Sequence, residues 1–221
     1  QATTLDVSSF NTSNVIYMSA MFANSRASVI YLKSFDTSKV TNMGYMFQNV
    51  EAELDVSNFN TTNVIGMSGM FLNCKSSVID VSNFDTSNVA SMTRMFTNTQ
   101  AKIIDVSKFN TDKVTGMNSM FANTQAKIID VSSFNTSNVV DMSGMFNGSQ
   151  SISLDVSNFN TSNVTDMSRM FSQTKVTTLN LKKFDTSKVT NMNGMFYNTK
   201  NLKELELTNF NTSNVTDMSE M

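Results

Sequence analysis

Apolar positions along the chain fall into two short groups separated by a polar stretch, and the pair of groups returns about every 25 residues. The first group alternates. In Leu154, Asp155 and Val156 an apolar, a polar and an apolar residue follow one another, the period of a short strand whose leucine and valine point inward. The second group, Val164, Met167, Met170 and Phe171, is spaced i, i+3, i+6 and i+7, which predicts one apolar stripe on a short helix with its polar residues toward water. Ahead of it, the position of Ser162 is filled in other repeats only by Ser, Thr or Asp, as at Ser13, Thr62 and Asp112. These residue types cap helix N-termini. The invariant threonine before it, such as Thr161, is an alternative cap, so the boundary stays open by one residue. A residue that is often Asn, such as Asn24 or Asn98, follows the Met-Phe pair and is suited to end the helix in the left-handed region.

Nine phenylalanines mark the register: Phe10, Phe35, Phe59, Phe84, Phe109, Phe134, Phe159, Phe184 and Phe210. The spacing slips to 24 once and to 26 once, between Phe47 and Leu54 and between Phe196 and Leu205, so that segment reads as a loop tolerant of length change. All 18 methionines sit at two repeat positions and all 17 phenylalanines at two others. A period of this size is the mark of a solenoid, in which each coil is too small for its own core and buries its apolar side against its neighbours. The expected fold is therefore an α/β solenoid with one short parallel strand and one short helix per repeat, a single solenoid of nine repeats over residues 1–221. Stacked strands would make it a rod roughly 40 Å long. Val and Thr are modest helix formers, which leaves a parallel β-helix as the alternative. Neither end carries a distinctive capping repeat, and the expectation is a fragment of a longer array.

Composition narrows the chemistry. The 221 residues contain no histidine, proline or tryptophan and one cysteine, Cys74. Histidine-dependent triads and thiolate zinc sites cannot be built from such a chain, and no internal disulfide is available. Cys74 reads as a small core or turn residue. Seven glycines form no phosphate-cradling loop, and no pair of acids faces across a cleft, so the expectation is no enzyme, no cofactor and no metal. A net charge of -2 gives no pull toward nucleic acid or anionic lipid, and no apolar run approaches the ~20 residues that span a bilayer.

Two repeats fit the leucine-rich-repeat strand pattern through Val176, Leu179 and Leu181 and through Leu202, Leu205 and Leu207, with Phe184 and Phe210 in place of the usual asparagine. With the phrase FNTSNVTDMSRMF at 159–171 and the 25-residue period, the whole chain resembles the BspA-type leucine-rich-repeat-like surface proteins of lactic-acid bacteria and mycoplasmas. That resemblance implies a right-handed leucine-rich-repeat-like coil. It also implies a secreted or wall-attached protein taking part in adhesion to host or matrix proteins, glycans or other cells, and no enzymatic activity. Many members carry cysteine after the Met-Phe pair, where this chain has only Cys74.

In such a stack, recognition falls to side chains that point outward along a continuous face. The residue between each inward pair forms one row, in which five consecutive repeats present Asp55, Asp80, Asp105, Asp130 and Asp155. Carboxylates at strand spacing repel, which favours proton or cation uptake, and a calcium ladder is one reading; a solvated row softened by Lys108 and Lys127 is the plainer one. Two residues earlier stand Val78, Ile103 and Ile128. Beside Asp80, Asp105 and Asp130 they would form an amphipathic strip of the kind that contacts partners, unless a bend before the strand turns them inward. These six residues are the candidate binding site. A further column, typified by Asn160 and Asp185, reads as structural, its side chains bonding the backbone of a turn. The competing functional reading is a stiff spacer without a ligand of its own, suggested by the near-identity of the repeats.

Overall fold

A computed structural model describes residues 3–221. Successive repeats lie one on the next in register, and parallel bridges mark the stacking along one side without a break. Tyr17 pairs with Asn42, then Gly66, Ser91, Gly116, Asp141, Asp166, Asn191 and Asp217 follow in turn. Inside, one phenylalanine per repeat stacks on the next from Phe22 through Phe196, with centroids 5.7 to 6.0 Å apart and planes within 13° of parallel. Offset stacking at this separation suits the quadrupole of the rings. Methionines fill the space around the ladder. Met167 and Phe171 are both fully buried, as are Met142 and Phe146 one repeat earlier.

The expected helix is not there. Among the described residues no α-helix forms, and the only regular strands are β1 (Thr4–Asp6) and β2 (Val29–Tyr31), paired in parallel. The α/β solenoid with a strand and a helix in every repeat is thereby overturned, and with it the leucine-rich-repeat-like coil. The backbone around Met167 shows why. Met170 N–H bonds the Met167 carbonyl at 3.1 Å and Thr174 N–H the Phe171 carbonyl at 3.3 Å, each closing a β-turn. Its third residue has positive φ, Arg169 at 54° and Gln173 at 56°. Left-handed residues four apart cannot belong to a right-handed helix. The intervening N–H groups leave the repeat altogether: Met167, Arg169, Phe171 and Gln173 donate to Asn191, Asn193, Met195 and Tyr197 of the next, at 2.8 to 3.0 Å. The stripe of apolar residues is real, but it lies along a chain of turns.

The expected caps do other work. Ser162 caps nothing: its N–H and hydroxyl both donate to Asn160 Oδ1, at 3.1 and 2.8 Å. Val164 N–H closes a turn on the Thr161 carbonyl at 2.9 Å. Thr161 is buried, and its hydroxyl bridges to the next repeat by donating to the Asp185 carbonyl while accepting the Asp185 N–H, both at 2.8 Å. That pair of hydrogen bonds recurs at Thr37, Thr86, Thr111, Thr136 and Thr186. An invariant threonine is the outcome, because serine lacks the methyl that packs inward and valine lacks the hydroxyl. The Asn and Asp column behaves as its residue types suggest, Asn160 and Asp185 each accepting the N–H two residues on.

On the side expected to be a continuous sheet, pairing beyond β2 thins to single bridges, Val29 to Glu53, Ile128 to Ser153 and Thr178 to Glu204. Serine hydroxyls take the backbone groups a ladder would use. Ser76 Oγ donates to the Val78 carbonyl at 2.6 Å and accepts the Leu54 N–H at 3.2 Å, and Ser151 Oγ donates to the Ser153 carbonyl at 2.8 Å. Local side-chain bonding of this kind competes with strand pairing.

Candidate recognition face

The segment before each aspartate alternates as its pattern predicts. Ile79, Ile104 and Ile129 are buried, while Val78, Ile103 and Ile128 are exposed at 54%, 69% and 73%. No bend turns the three inward, and with Asp80, Asp105 and Asp130, all exposed, they occupy one face of the stack. Toward the N-terminus the row is interrupted by exposed Glu53, beyond which Val29 stands at the same position, and exposed Ile152 borders the row beyond Ile128.

Each carboxylate is committed on one side to its own turn. Asp80, Asp105 and Asp130 accept the N–H of Ser82, Ser107 and Ser132 at 3.0 Å, and the Ser107 and Ser132 hydroxyls add bonds of 2.6 Å. Bonds from these serine side chains and backbones hold all three carboxyls below their ordinary pKa. For Asp80 and Asp130 the effect outweighs the upward push of burial and of the neighbouring carboxylates. Mutual repulsion along the row therefore does not lead to proton uptake. The row is anionic and its geometry serves the fold as well as the surface. Among the described residues, no group of three or more acidic, histidine or cysteine side chains is placed to hold a metal ion.

Sequence reasoning missed a second face. Directly after the inward column of half-buried Val15 and buried Val64 and Val139, Ile16, Ile65 and Val140 are exposed at 48%, 54% and 45%, and Lys39 and Lys113 border a shallow depression there. The signal was available: these apolar residues occupy a position filled by Thr41, Thr115, Thr165 and Thr190 elsewhere. Threonines in that column donate their hydroxyls to the preceding repeat's carbonyl, as Thr165 does to Val140. Among the described residues, no helix is long and apolar enough to cross a membrane.

Segments 1–103, 98–204 and 172–221 each match one family, described as a Mycoplasma protein of unknown function, DUF285. No curated protein and no solved structure matches the chain.

Proposed function

The chain belongs to the DUF285 repeat family of mycoplasmas, and from that premise we propose that it is a cell-surface recognition module that binds host, matrix or neighbouring-cell macromolecules along the face of Val78, Ile103 and Ile128. The observation that carries this reading is the exposure of three aliphatic side chains in adjacent repeats, each bordered by a carboxylate. Isolated apolar residues on a surface need no explanation, whereas an ordered row with a polar border is how contact surfaces are built. The resemblance of the repeated phrase at 159–171 to BspA-type surface proteins is what suggests the extracellular, cell-surface setting. Many copies on one cell would add avidity to weak individual contacts.

The second reading, a stalk that projects another domain, is favoured by the near-identity of the repeats. One experiment separates the two. The chain is passed over immobilised collagen, laminin and mucin, alongside Ile103→Ser with Ile128→Ser. Exposed substitutions of this kind change stability by only about 0.5 kcal/mol, so folding is retained. Saturable binding lost in the double variant is the expected result; absence of binding to every surface would leave the stalk.

A further inference from the structure

At one corner of the stack, the residues that follow the Met-Phe pairs line a furrow that runs from repeat to repeat. Between Asn98 and Asn201 two depressions share Asn123 as a common wall. We propose that this stretch binds an extended anionic glycan, such as a uronic-acid or sulfated polysaccharide. The inference does not rest on the aliphatic face and concerns different residues.

Three observations carry it. The first is a contrast within the same corner. Near the N-terminus the column is self-satisfied: the amide of Asn49 donates to Asn24, Asn73 to Asn49 and Asn98 to Asn73, each at 2.7 Å. Among the described residues the amide ladder ends at Asn98. The next positions are Asn123, Gly148, Gln173 and Asn198, whose side chains pass no such bond along. Amides withdrawn from mutual pairing present donors and acceptors to solvent, the complement of sugar hydroxyls.

The second is charge. In the early stretch Lys75 is neutralised by Glu51 at 2.6 Å. In the later stretch Lys102, Lys127, Lys175 and Lys200 border the two depressions, and no carboxylate lines either one. Two pairs of ammonium groups, one at each depression and with no acid in either lining, are suited to carboxylate or sulfate groups repeating along a polymer. The lining contains no aromatic ring either, so the stacking platforms that hold single-stranded nucleic acid are missing.

The third is the break itself. Gly148, at φ 67°, stands where six other repeats place asparagine. A Cβ there would come within 2.0 Å of Asn123 Oδ1, so the Asn123 amide has leaned into the space the next side chain would fill. The missing side chain thus leaves the Asn123 amide, freed from the ladder, lying in the furrow wall between the two lysine pairs.

The test measures binding of the chain to immobilised chondroitin sulfate, hyaluronan, neutral dextran and oligo(dT) at low and physiological salt. Chondroitin sulfate or hyaluronan should be retained and dextran should not; the two acidic polymers distinguish sulfate from carboxylate recognition. Lys175→Gln with Lys200→Gln should weaken binding at least about tenfold, whereas Lys39→Gln with Lys113→Gln, an equal charge change on another face, should alter it less than about twofold. Gly148→Asn, which pushes the Asn123 amide out of the furrow and back toward its ladder position, should weaken binding while the fold melts no earlier. Equal losses from both lysine pairs, oligo(dT) held as tightly as the acidic glycans, or no acidic glycan bound at low salt would overturn the proposal. Ile103→Ser with Ile128→Ser should leave glycan binding intact, so failure here and failure at the aliphatic face are read separately.

Discussion

One threonine hydroxyl per repeat does the work of two backbone groups. Thr161 is buried, and its oxygen satisfies both the N–H and the carbonyl of Asp185 in the next repeat. Thr161→Val keeps the volume and strands both groups, so it should cost about 1–3 kcal/mol in urea denaturation. Thr165→Val, at a half-buried position with one bond of 3.3 Å, should cost less than about 1 kcal/mol. The aspartates of the outward row act on pH dependence. Serine side-chain and backbone bonds hold Asp105 and its equivalents at Asp55, Asp80, Asp130 and Asp155 below the ordinary value when folded. A folded pKa below the unfolded one stabilises above the unfolded value, and that contribution is lost as pH falls through the folded value. Urea midpoints should thus be flat near neutrality and decline below about pH 4. These groups are almost fully solvated, so each contributes little and the decline comes from their number. Asp105→Asn keeps the Oδ1 acceptor and should retain the turn while reducing the decline.

Between residue and whole stand the paired turns that replace the expected helix. The period, the loop that absorbs the length slips, the buried Met and Phe columns, the inward Leu and Val and the outward Val78, Ile103 and Ile128 were all legible, because each follows from where apolar side chains must go. What spacing alone does not encode is the destination of backbone N–H groups. Val164, Met167, Met170 and Phe171 share one buried side whether the chain coils into a helix or turns twice and bonds the next repeat. The discriminating signal was local. Gly69, Gly144 and Gly194 recur four residues before a position usually held by asparagine, and both positions have positive φ. Two left-handed preferences four apart within one apolar stripe point to consecutive turns. Serines at the strand side thinned the sheet for a related reason, since hydroxyl competition for backbone groups leaves no trace in hydrophobic alternation. The same logic fixes what Gly148 should tolerate. Asparagine adopts positive φ readily and has done so at Asn123 and Asn198, so Gly148→Asn should raise stability by about 0.5–1 kcal/mol by restricting the unfolded chain, provided the Asn123 amide swings aside to its ladder position. A differential scanning calorimetry endotherm shifted downward would show that Asn123 does not yield.

At the scale of the molecule, each repeat packs against the two beside it, and the ring ladder and bridges run from one to the next. Stability should then be a sum of repeat terms and neighbour terms. Excising residues 126–150 removes one complete repeat and joins Gln125 to Ser151, the equivalent of Ala126, so the Phe121 ring would meet Phe171 in place of Phe146. The shortened chain should fold cooperatively, with a lower urea stability from the lost repeat and its interface. Cys74 offers an independent readout because it is fully buried and burial pushes its thiol up to about 11, so a thiol reagent reaches it only when its own repeat opens. Opening by fraying from the N-terminal side crosses the same interfaces with or without residues 126–150. Cys74 labelling under native conditions should therefore change less than about threefold on excision, while a core substitution beside it, Phe71→Ala, should accelerate labelling by well over tenfold for a cost of about 3–5 kcal/mol. Labelling that rose equally in both variants would mean that the repeats open only together, as a single cooperative block, and that the sum of neighbour terms does not describe this protein.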